Sequence, residues 1–383
     1  MNKGEMKRLG DYIREVDVRN RNLEVTKLVG LTIDKSFIPS VANVIGTDLS
    51  KYKIIRKEQF ACSLMQVSRD GKVPIAMLEE REAIMSPAYP VFEVFDTTKL
   101  LPQYLMMWFS RKEFDREASF YAVGGVRGSL TWEDFCDMTL PIPPIEQQQK
   151  IVSEYEAITR RIRLNEQIIT KLEETAQTLY RKMFVDGIDK ENLPEGWKMG
   201  TIGEFCKEMK SGGTPNRSNT EYWSRKDYRW LKTGEVQNNV ILNTEEYISE
   251  VGLINSSAKI IPCGAIVMAM YGATAGQVAY LDCETTTNQA CCNMICHTKD
   301  DAAFLFFHLL YYQEEIKRLA NGGAQENLSQ EIITAQPILL FEDERKKTIL
   351  VKLFDFIIYK YREYGILAEL QSLSLARMGH KQS

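Results

Sequence analysis

Cysteine and histidine are the side chains in this sequence whose types could hold a metal or catalyse a reaction. Of the eight cysteines, Cys291, Cys292 and Cys296 cluster beside His297, and the other five are scattered. No Cys-x-x-Cys spacing occurs, although zinc sites commonly use it. The surrounding segment QACCNMICH has the apolar character of a buried strand. We therefore predict that these thiols are packed core side chains and that the chain has no metal site.

Motifs for catalysis are scarce as well. His308 lies in an apolar helical segment and His380 has no second ligand at a metal spacing, so His308 is predicted to be a packed side chain. The sequence contains no P-loop, no G-x-S-x-G, no H-E-x-x-H and no Asn-Pro-Pro-aromatic stretch. The glycine-rich stretch 271–276 (YGATAG) lacks the lysine of a Walker motif, and we interpret it as a loop between strands. We expect no catalytic residue.

Basic and aromatic residues give a stronger indication of function. Seven basic residues and three acidic ones lie between Lys207 and Lys232, and the aromatic residues among them are Tyr222, Trp223, Tyr228 and Trp230. Lys and Arg neutralise phosphates, while Arg, Asn and Gln can read base edges, so this composition suits a DNA surface. The alternative is an ordinary solvated face. A net charge of −4 argues mildly against a stand-alone nucleic-acid binder, but local charge on one face decides the matter.

Two long helices are predicted to position these segments. In 151–183 the core-compatible residues are spaced alternately four and three apart, as in a coiled coil; they are Ile151, Tyr155, Ile158, Ile162, Asn165, Ile169, Leu172, Ala176, Leu179 and Met183. The same spacing returns near the C-terminus at Leu350, Phe354, Ile357, Tyr361, Tyr364, Ala368, Gln371, Leu375 and Met378. Because a whole domain separates the two helices, we predict that they pair antiparallel. The alternative is that each helix only covers its own domain.

The segments that precede these helices resemble each other. GGVRGSLT begins at Gly124 and GGAQENLS begins 198 positions later, at Gly322; an apolar helical segment precedes each, and PIPPIE and PILLFE follow. The repeat predicts a mixed α/β (α+β) fold with two similar domains, 1–144 and 189–340, and two spacer helices, 145–188 and 341–383. No segment is apolar enough over a sufficient length to span a bilayer or to act as a secretory signal, so a cytoplasmic protein is expected.

Several of these segments together resemble the specificity subunits of type I restriction–modification enzymes. LPIPPIEQQQKIV and LNEQIITKLEETAQTLYRKMFVDG resemble the central spacer of that family. GGTP, YGATAGQV, TTNQA and GGAQENLS resemble landmarks of its target-recognition domains, and GTDLSKYKIIRKEQFACSLMQVSRDGK resembles a second, divergent subtype. One departure is the replacement of the second proline pair by Leu339-Leu340, which could bend the entry to the second helix differently.

The resemblance implies a non-catalytic subunit with two target-recognition domains, each of which reads one half of a split, asymmetric sequence in double-stranded DNA. The antiparallel coiled coil would set the unread gap and dock two modification subunits, which bind S-adenosylmethionine and methylate adenine at N6. Restriction subunits that use ATP and magnesium would join them, so no cofactor is expected in this chain. The rival hypotheses are a stand-alone DNA-modifying enzyme and an interaction scaffold that does not bind DNA.

The predicted DNA contacts lie in both halves of the chain. For the first domain they lie in a turn between strands: Gln66, Ser68, Arg69 and Lys72. For the second they are Arg217, Lys232, Tyr271, Thr274, Gln277, Asn288 and Gln289. Asn288 and Gln289 could instead satisfy buried backbone groups. Arg127 and Asn327 are predicted to stabilise the turn into the next strand.

Overall fold

The structure is a computed structural model that describes residues 6–40, 46–65, 67–122, 129–189, 191–320, 327–341 and 347–379. The candidates Gln66, Arg127 and His380 lie outside these ranges. The helices are α1 Val67–Asp70, α2 Pro102–Phe109, α3 Lys112–Ala122, α4 Trp132–Asp137, α5 Ile145–Phe184, α6 Ile202–Phe205, α7 Glu250–Ile254, α8 Lys299–Tyr311, α9 Gln313–Ala320, α10 Gln330–Thr334 and α11 Thr348–Arg377.

The strands are short and most pair antiparallel. They are β1 Met6–Arg8, β2 Ile13–Glu15, β3 Val29–Leu31, β4 Phe37–Pro39, β5 Lys53–Arg56, β6 Phe60–Cys62, β7 Ile75–Met77, β8 Glu82–Met85, β9 Val91–Val94, β10 Thr139–Pro141, β11 Trp197–Thr201, β12 Glu208–Ser211, β13 Tyr228–Leu231, β14 Asn239–Ile241, β15 Glu246–Ile248, β16 Ile260–Ile261, β17 Ile266–Ala269, β18 Val278–Leu281, β19 Thr285–Thr287, β20 Cys291–Ile295 and β21 Pro337–Phe341. The chain forms two compact units, residues 1–161 with 367–383 and residues 162–366.

The first unit is built on the four-stranded sheet β2-β9-β6-β7. Its core is aromatic, since Phe60 and Phe92 stack with ring centroids 5.1 Å apart and Phe109 meets both rings edge-on. β5 and β6 are separate strands because the chain turns at Glu58, which has a φ of +67°. Two helices, α2 and α3, follow the sheet, and Pro102 opens the first of them, where its missing N–H costs little.

The second unit contains a five-stranded sheet, β12-β20-β17-β18-β14, and a four-stranded sheet, β15-β13-β19-β16. Within them β13 pairs with β19, and β14 with β18, in parallel. Helix α8 packs against the larger sheet, and its buried Phe304, Phe306 and Phe307 belong to the same hydrophobic core. Cys291 and Cys292 are fully buried in β20, which confirms the buried strand predicted there. Mixed sheets with packed helices confirm the predicted fold class.

The internal repeat is visible in how each α/β unit closes. β1 pairs antiparallel with β10, and β11 pairs antiparallel with β21, so the strand before each long helix returns to the start of its own domain. Thr131 caps the N-terminus of α4 and Ser329, 198 positions later, caps that of α10; each accepts a hydrogen bond from the backbone three residues on. Equivalent caps at the predicted offset confirm the duplication.

The long helices α5 and α11 pair antiparallel. Within the first unit, Gln371 Nε2 donates to Thr159 Oγ1 over 2.8 Å. Within the second, Asn165 Nδ2 donates over 2.8 Å to the carbonyl oxygen of Lys360. As residue numbers rise along α5, the partners on α11 fall, which confirms the antiparallel coiled coil. Helix α5 ends at Phe184, and Gly187, which has a φ of +79°, lies in the turn that follows.

The predicted seam residues of this pair differ in burial. For example, Ile162, Ile169, Phe354 and Ile357 are buried, whereas Ile158, Leu172, Leu179, Tyr361 and Leu375 are partly buried. At the end of α5 the most buried side chains are Tyr180 and Phe184, which the four-three spacing omits. They face Phe304 of α8, so this end of the helix meets a domain core as well as one helix and needs a wider apolar face.

Membrane insertion has no support among the described helices. Neither the long pair nor any shorter helix within the described ranges has a stretch both apolar and long enough to cross a bilayer.

Candidate nucleic-acid interface

Two parallel strands end together at one edge of the second unit. β13 and β19 pair in parallel, so Lys232, which follows β13, and Asn288, which follows β19, emerge at the same edge. The backbone nitrogen of Asn288 donates to the Leu231 carbonyl oxygen over 3.0 Å, and this bond fixes the two strand ends side by side. Polar side chains collected at the end of parallel strands form a surface that a large ligand can reach.

The GGTP segment runs directly against this edge. A Cβ atom on Gly212 would lie 2.2 Å from the carbonyl oxygens of both Thr287 and Asn288, so only glycine permits so close an approach. The Gly213 amide nitrogen donates to the Thr287 carbonyl oxygen over 2.8 Å. At the next residue, Thr214 Oγ1 donates to Gln289 Oε1. The two glycines therefore place Gln289 at the same edge as Asn288.

The loop 271–277 between β17 and β18 joins the same surface. Thr274 Oγ1 donates over 2.9 Å to the carbonyl oxygen of Thr233, one residue after Lys232. The Met270 amide nitrogen donates over 2.8 Å to the Ala290 carbonyl oxygen, which lies just beyond Gln289. Tyr271 is 41% exposed at the start of this loop. The structure thus brings together six candidates that are far apart in the sequence: Lys232, Tyr271, Thr274, Gln277, Asn288 and Gln289.

Two of these amide side chains differ in what they contact. Asn288 Oδ1 accepts a 3.2 Å hydrogen bond from the Ala290 backbone, as the alternative role of satisfying backbone groups requires. Gln277 Oε1 is buried and has no hydrogen-bond partner among the described residues. A buried acceptor without a partner is costly, so this amide has unused capacity for a ligand or a water molecule.

Arg217 and Lys232 are held by carboxylates. The guanidinium of Arg217 lies 3.7 Å from the ring centroid of Trp223 and 4.5 Å from that of Trp230, and it pairs with Glu246. Lys232 Nζ lies 2.8 Å from Glu245 and 3.2 Å from Glu246. These two basic side chains therefore join β13 to β15, and any phosphate contact they make competes with carboxylates already in place.

The titration of this cluster follows from these contacts. Hydrogen bonds to Glu245 and Glu246 raise the pKa of Lys232 above its ordinary value. Burial acts to raise the pKa of the Glu246 carboxyl, but hydrogen bonds from Arg217 and Lys232 outweigh it and hold that pKa below its ordinary value. Glu246 is therefore ionised at neutral pH and keeps both basic side chains in place.

The candidates of the first unit lie on the short helix α1 and the turn after it, between β6 and β7. Ser68, Arg69 and Lys72 are exposed there. Arg69 Nε lies 2.7 Å from its neighbour Asp70, and Lys72 Nζ lies 3.2 Å from Asp34. The β3–β4 hairpin that carries Asp34 was not predicted, although two apolar runs flank its polar turn.

A buried ion pair anchors the hairpin beside these residues. Lys35 Nζ lies 2.8 Å from Asp115 Oδ1, which also accepts a 3.1 Å hydrogen bond from the Val73 backbone. Burial lowers the pKa of Lys35, and the hydrogen bond to Asp115 opposes that change. The hairpin, α3 and the segment after Lys72 are therefore held together, so Lys72 projects from an ordered base.

The residues that could bind a metal or transfer protons are not clustered at this interface in the described part of the chain. Over the described ranges, no three His, Cys, Asp or Glu side chains come together as metal ligands would. His308 is 3% exposed, its Nδ1 lies 2.7 Å from Tyr180 Oη, and its ring packs by Phe304. That environment is the packed core position that the sequence predicts for His308.

Comparison with protein families decides the assignment. The family described as the type I restriction modification DNA specificity domain matches residues 41–174 and 194–372, which together make up most of the chain. The chain belongs to this family. Two matches within one specificity chain also agree with the internal repeat.

Individual relatives of this specificity chain are distant. The type I restriction enzyme HindI specificity subunit of Haemophilus influenzae is 24% identical over 358 residues, covering 73% of this chain and 77% of that one. The EcoR124I/EcoR124II specificity subunit of Escherichia coli is 26% identical over 133 residues, covering 33% and 32%. The crystal structure of an S subunit from M. genitalium has a TM-score of 0.57 at 14% identity, covering 99% of this chain and 96% of that one. At that identity the similarity supports the fold alone.

Proposed function

We propose that this chain is the non-catalytic specificity subunit of a type I restriction–modification enzyme. It binds a bipartite, asymmetric DNA sequence, each domain reads one half-site, and the chain scaffolds the other subunits. The observation that carries this proposal is that the DNA specificity family matches the chain twice, once in each half. One polypeptide with two different recognition domains suits a sequence made of two unlike halves.

The proposed domains follow the repeat. Residues 1–144 and 189–340 are the target-recognition domains, and 145–188 and 341–383 are the spacer helices. Each compact unit contains one such domain together with part of each long helix. A helix of 40 residues is about 60 Å long, so the pair has the reach to set an unread gap between half-sites.

The proposed partners supply the chemistry. Two modification subunits bind S-adenosylmethionine and methylate adenine at N6, and restriction subunits use ATP and magnesium to translocate and cut DNA in the cytoplasm. This chain supplies sequence recognition and a scaffold. A net charge of −4 is compatible with that role because the DNA-binding channel is shared among subunits.

The proposed DNA surface of the second domain is the edge where β13, β19 and the loop 271–277 meet. Among the described residues, Tyr271, Gln277 and Gln289 have no carboxylate partner at this edge, and the amides of the two glutamines suit adenine edges in a major groove. Lys232 contributes charge near phosphates. In the first domain the corresponding surface is Ser68, Arg69 and Lys72, with Gln66 retained as a candidate from sequence.

A methylation assay tests the proposal. The purified chain, the modification subunit alone and their complex are each incubated with S-adenosylmethionine and a plasmid library containing random sequence, and methylated adenines are then mapped. We expect methylation by the complex alone, at two specific half-sites separated by a fixed gap. Methylation by the purified chain alone would establish the rival stand-alone enzyme, and methylation without a bipartite preference would favour the scaffold.

A further inference from the structure

A pair of side-chain amides holds the loop 271–277 from behind. Asn238, the residue directly before β14, faces Gln313, the first residue of α9. Asn238 Nδ2 donates to Gln313 Oε1 over 3.1 Å, and Gln313 Nε2 donates back to Asn238 Oδ1 over 2.8 Å. Neither residue is among the DNA contacts or the coiled-coil residues that the sequence predicts.

Each amide also bonds the backbone of the loop. Gln313 Nε2 donates to the carbonyl oxygen of Gly276 over 2.9 Å. Asn238 Oδ1 accepts from the amide nitrogen of Val278 over 3.0 Å. The residues immediately before and after Gln277 are therefore fixed by one amide pair, which sets where the Gln277 side chain leaves the backbone.

The local backbone is shaped to make this contact. Asn238 has a φ of +57°, a left-handed conformation that asparagine tolerates better than most side chains. Gly276 has a φ of +83°, and a Cβ there would lie 3.5 Å from Lys317 Cβ of α9. On the other side, Thr274 is bonded to Thr233. The loop is held from two sides while Tyr271, Gly272 and Ala273 remain exposed.

We infer that Asn238 and Gln313 are positioning residues for base readout by this loop; the inference rests on the proposed function. Hydrogen-bond discrimination between bases requires donors and acceptors held to within a few tenths of an ångström. A closed network of amide hydrogen bonds provides that rigidity, since each bond constrains the next. Without the pair, the loop keeps its sequence but loses its fixed geometry.

The test is half-site discrimination by the complex of the full chain with its modification subunit. Asn238→Gly keeps the left-handed backbone and removes the amide, and Gln313→Met keeps the side-chain length and removes both polar atoms. Both variants are expected to lower discrimination at one half-site, the same one for each, by about tenfold, the usual effect of one lost base contact. Discrimination at the other half-site is expected to stay within twofold of wild type.

Two further variants separate positioning from general stability. Asn238→Asp keeps the acceptor for Val278 and for Gln313 Nε2 but loses the donor to Gln313 Oε1, so it is expected to lose less discrimination than Asn238→Gly. Asn255→Ala removes an exposed amide that bonds the Val251 carbonyl oxygen of its own helix, and it serves as the control. A merely destabilised chain would lose methylation of all sites in proportion to its lower melting temperature.

The outcomes are distinguishable. If wild type shows no bipartite preference, the proposed function fails. If wild type is bipartite and both Asn238→Gly and Gln313→Met keep full discrimination in each half, the positioning role is overturned while the proposed function stands. An equal loss of discrimination at both half-sites would also overturn the positioning role.

Discussion

Asn165 of α5 donates a hydrogen bond from its side-chain amide to the carbonyl oxygen of Lys360 on α11, over 2.8 Å. Asn165 is 2% exposed and lies in a seam whose other members are mostly apolar. A buried asparagine in a coiled coil favours one register, because only that register gives its amide a partner, and it does so at a cost in stability. This contact therefore specifies how α5 and α11 align.

Replacing Asn165 by leucine is expected to separate stability from register. The Asn165→Leu chain should unfold with a free energy equal to wild type or higher by about 1 kcal/mol, because an apolar side chain replaces a desolvated amide. Its register should be less unique, so the complex should methylate sites with more than one gap length. Chemical denaturation and methylation mapping check the two parts. A clearly less stable chain with a single gap length would contradict this role.

The ion pair of Arg362 with Asp282 predicts a second effect on stability. Arg362 Nε and Nη2 lie 2.6 and 2.7 Å from the two carboxylate oxygens, and the side chain of Asp282 is only 6% exposed. Arg362→Ala should cost about 2 kcal/mol because it leaves a desolvated carboxylate without its partner. Adding Asp282→Asn should recover part of that loss. The control is Lys352→Ala on the exposed face of the same helix, which should change the unfolding free energy by less than about 0.5 kcal/mol. Equal effects of the two alanine variants would contradict the prediction.

The Glu246 carboxyl predicts a dependence of stability on pH. Although burial opposes it, Arg217 and Lys232 hold the pKa of Glu246 below its ordinary value in the folded chain. A lowered folded pKa means that its stabilising contribution is present above the unfolded pKa, about 4.3, and is lost as pH falls through the folded pKa. Wild type should therefore exceed Glu246→Gln in unfolding free energy at pH 7, and the difference should shrink below pH 4. A difference that stays constant from pH 7 to pH 3 would contradict this.

Local patterns in the sequence predicted the features that depend on local spacing. The alternating four-three spacing predicts α5 and α11, and the offset between Gly124 and Gly322 predicts the duplicated architecture. The same spacing could not identify Tyr180 and Phe184 as the most buried residues at the end of α5, because a neighbouring helix of the domain decides their burial.

Contacts between residues that are far apart in the chain could not be predicted from the sequence, because they too depend on tertiary packing. Arg217 looked like a DNA-binding side chain by type, and its stacking on two tryptophans depends on how β13 meets the preceding loop. Asn238 and Gln313 are 75 positions apart, and neither belongs to a recognisable motif. Composition indicated which segments carry recognition chemistry, while tertiary packing determines which side chains are available for it.

The most direct test of the account shortens both long helices. Deleting residues 158–164 from α5 and 363–369 from α11 removes one heptad from each, and retains Asn165 with Lys360 and Arg362 with Asp282. Seven residues correspond to roughly 10 Å of helix, or about three base pairs at 3.4 Å each. Mapped methylation by the complex should show the same two half-sites with a gap shorter by about three base pairs. Unchanged half-sites at an unchanged gap would contradict the claim that this helix pair sets the distance between two recognised sequences.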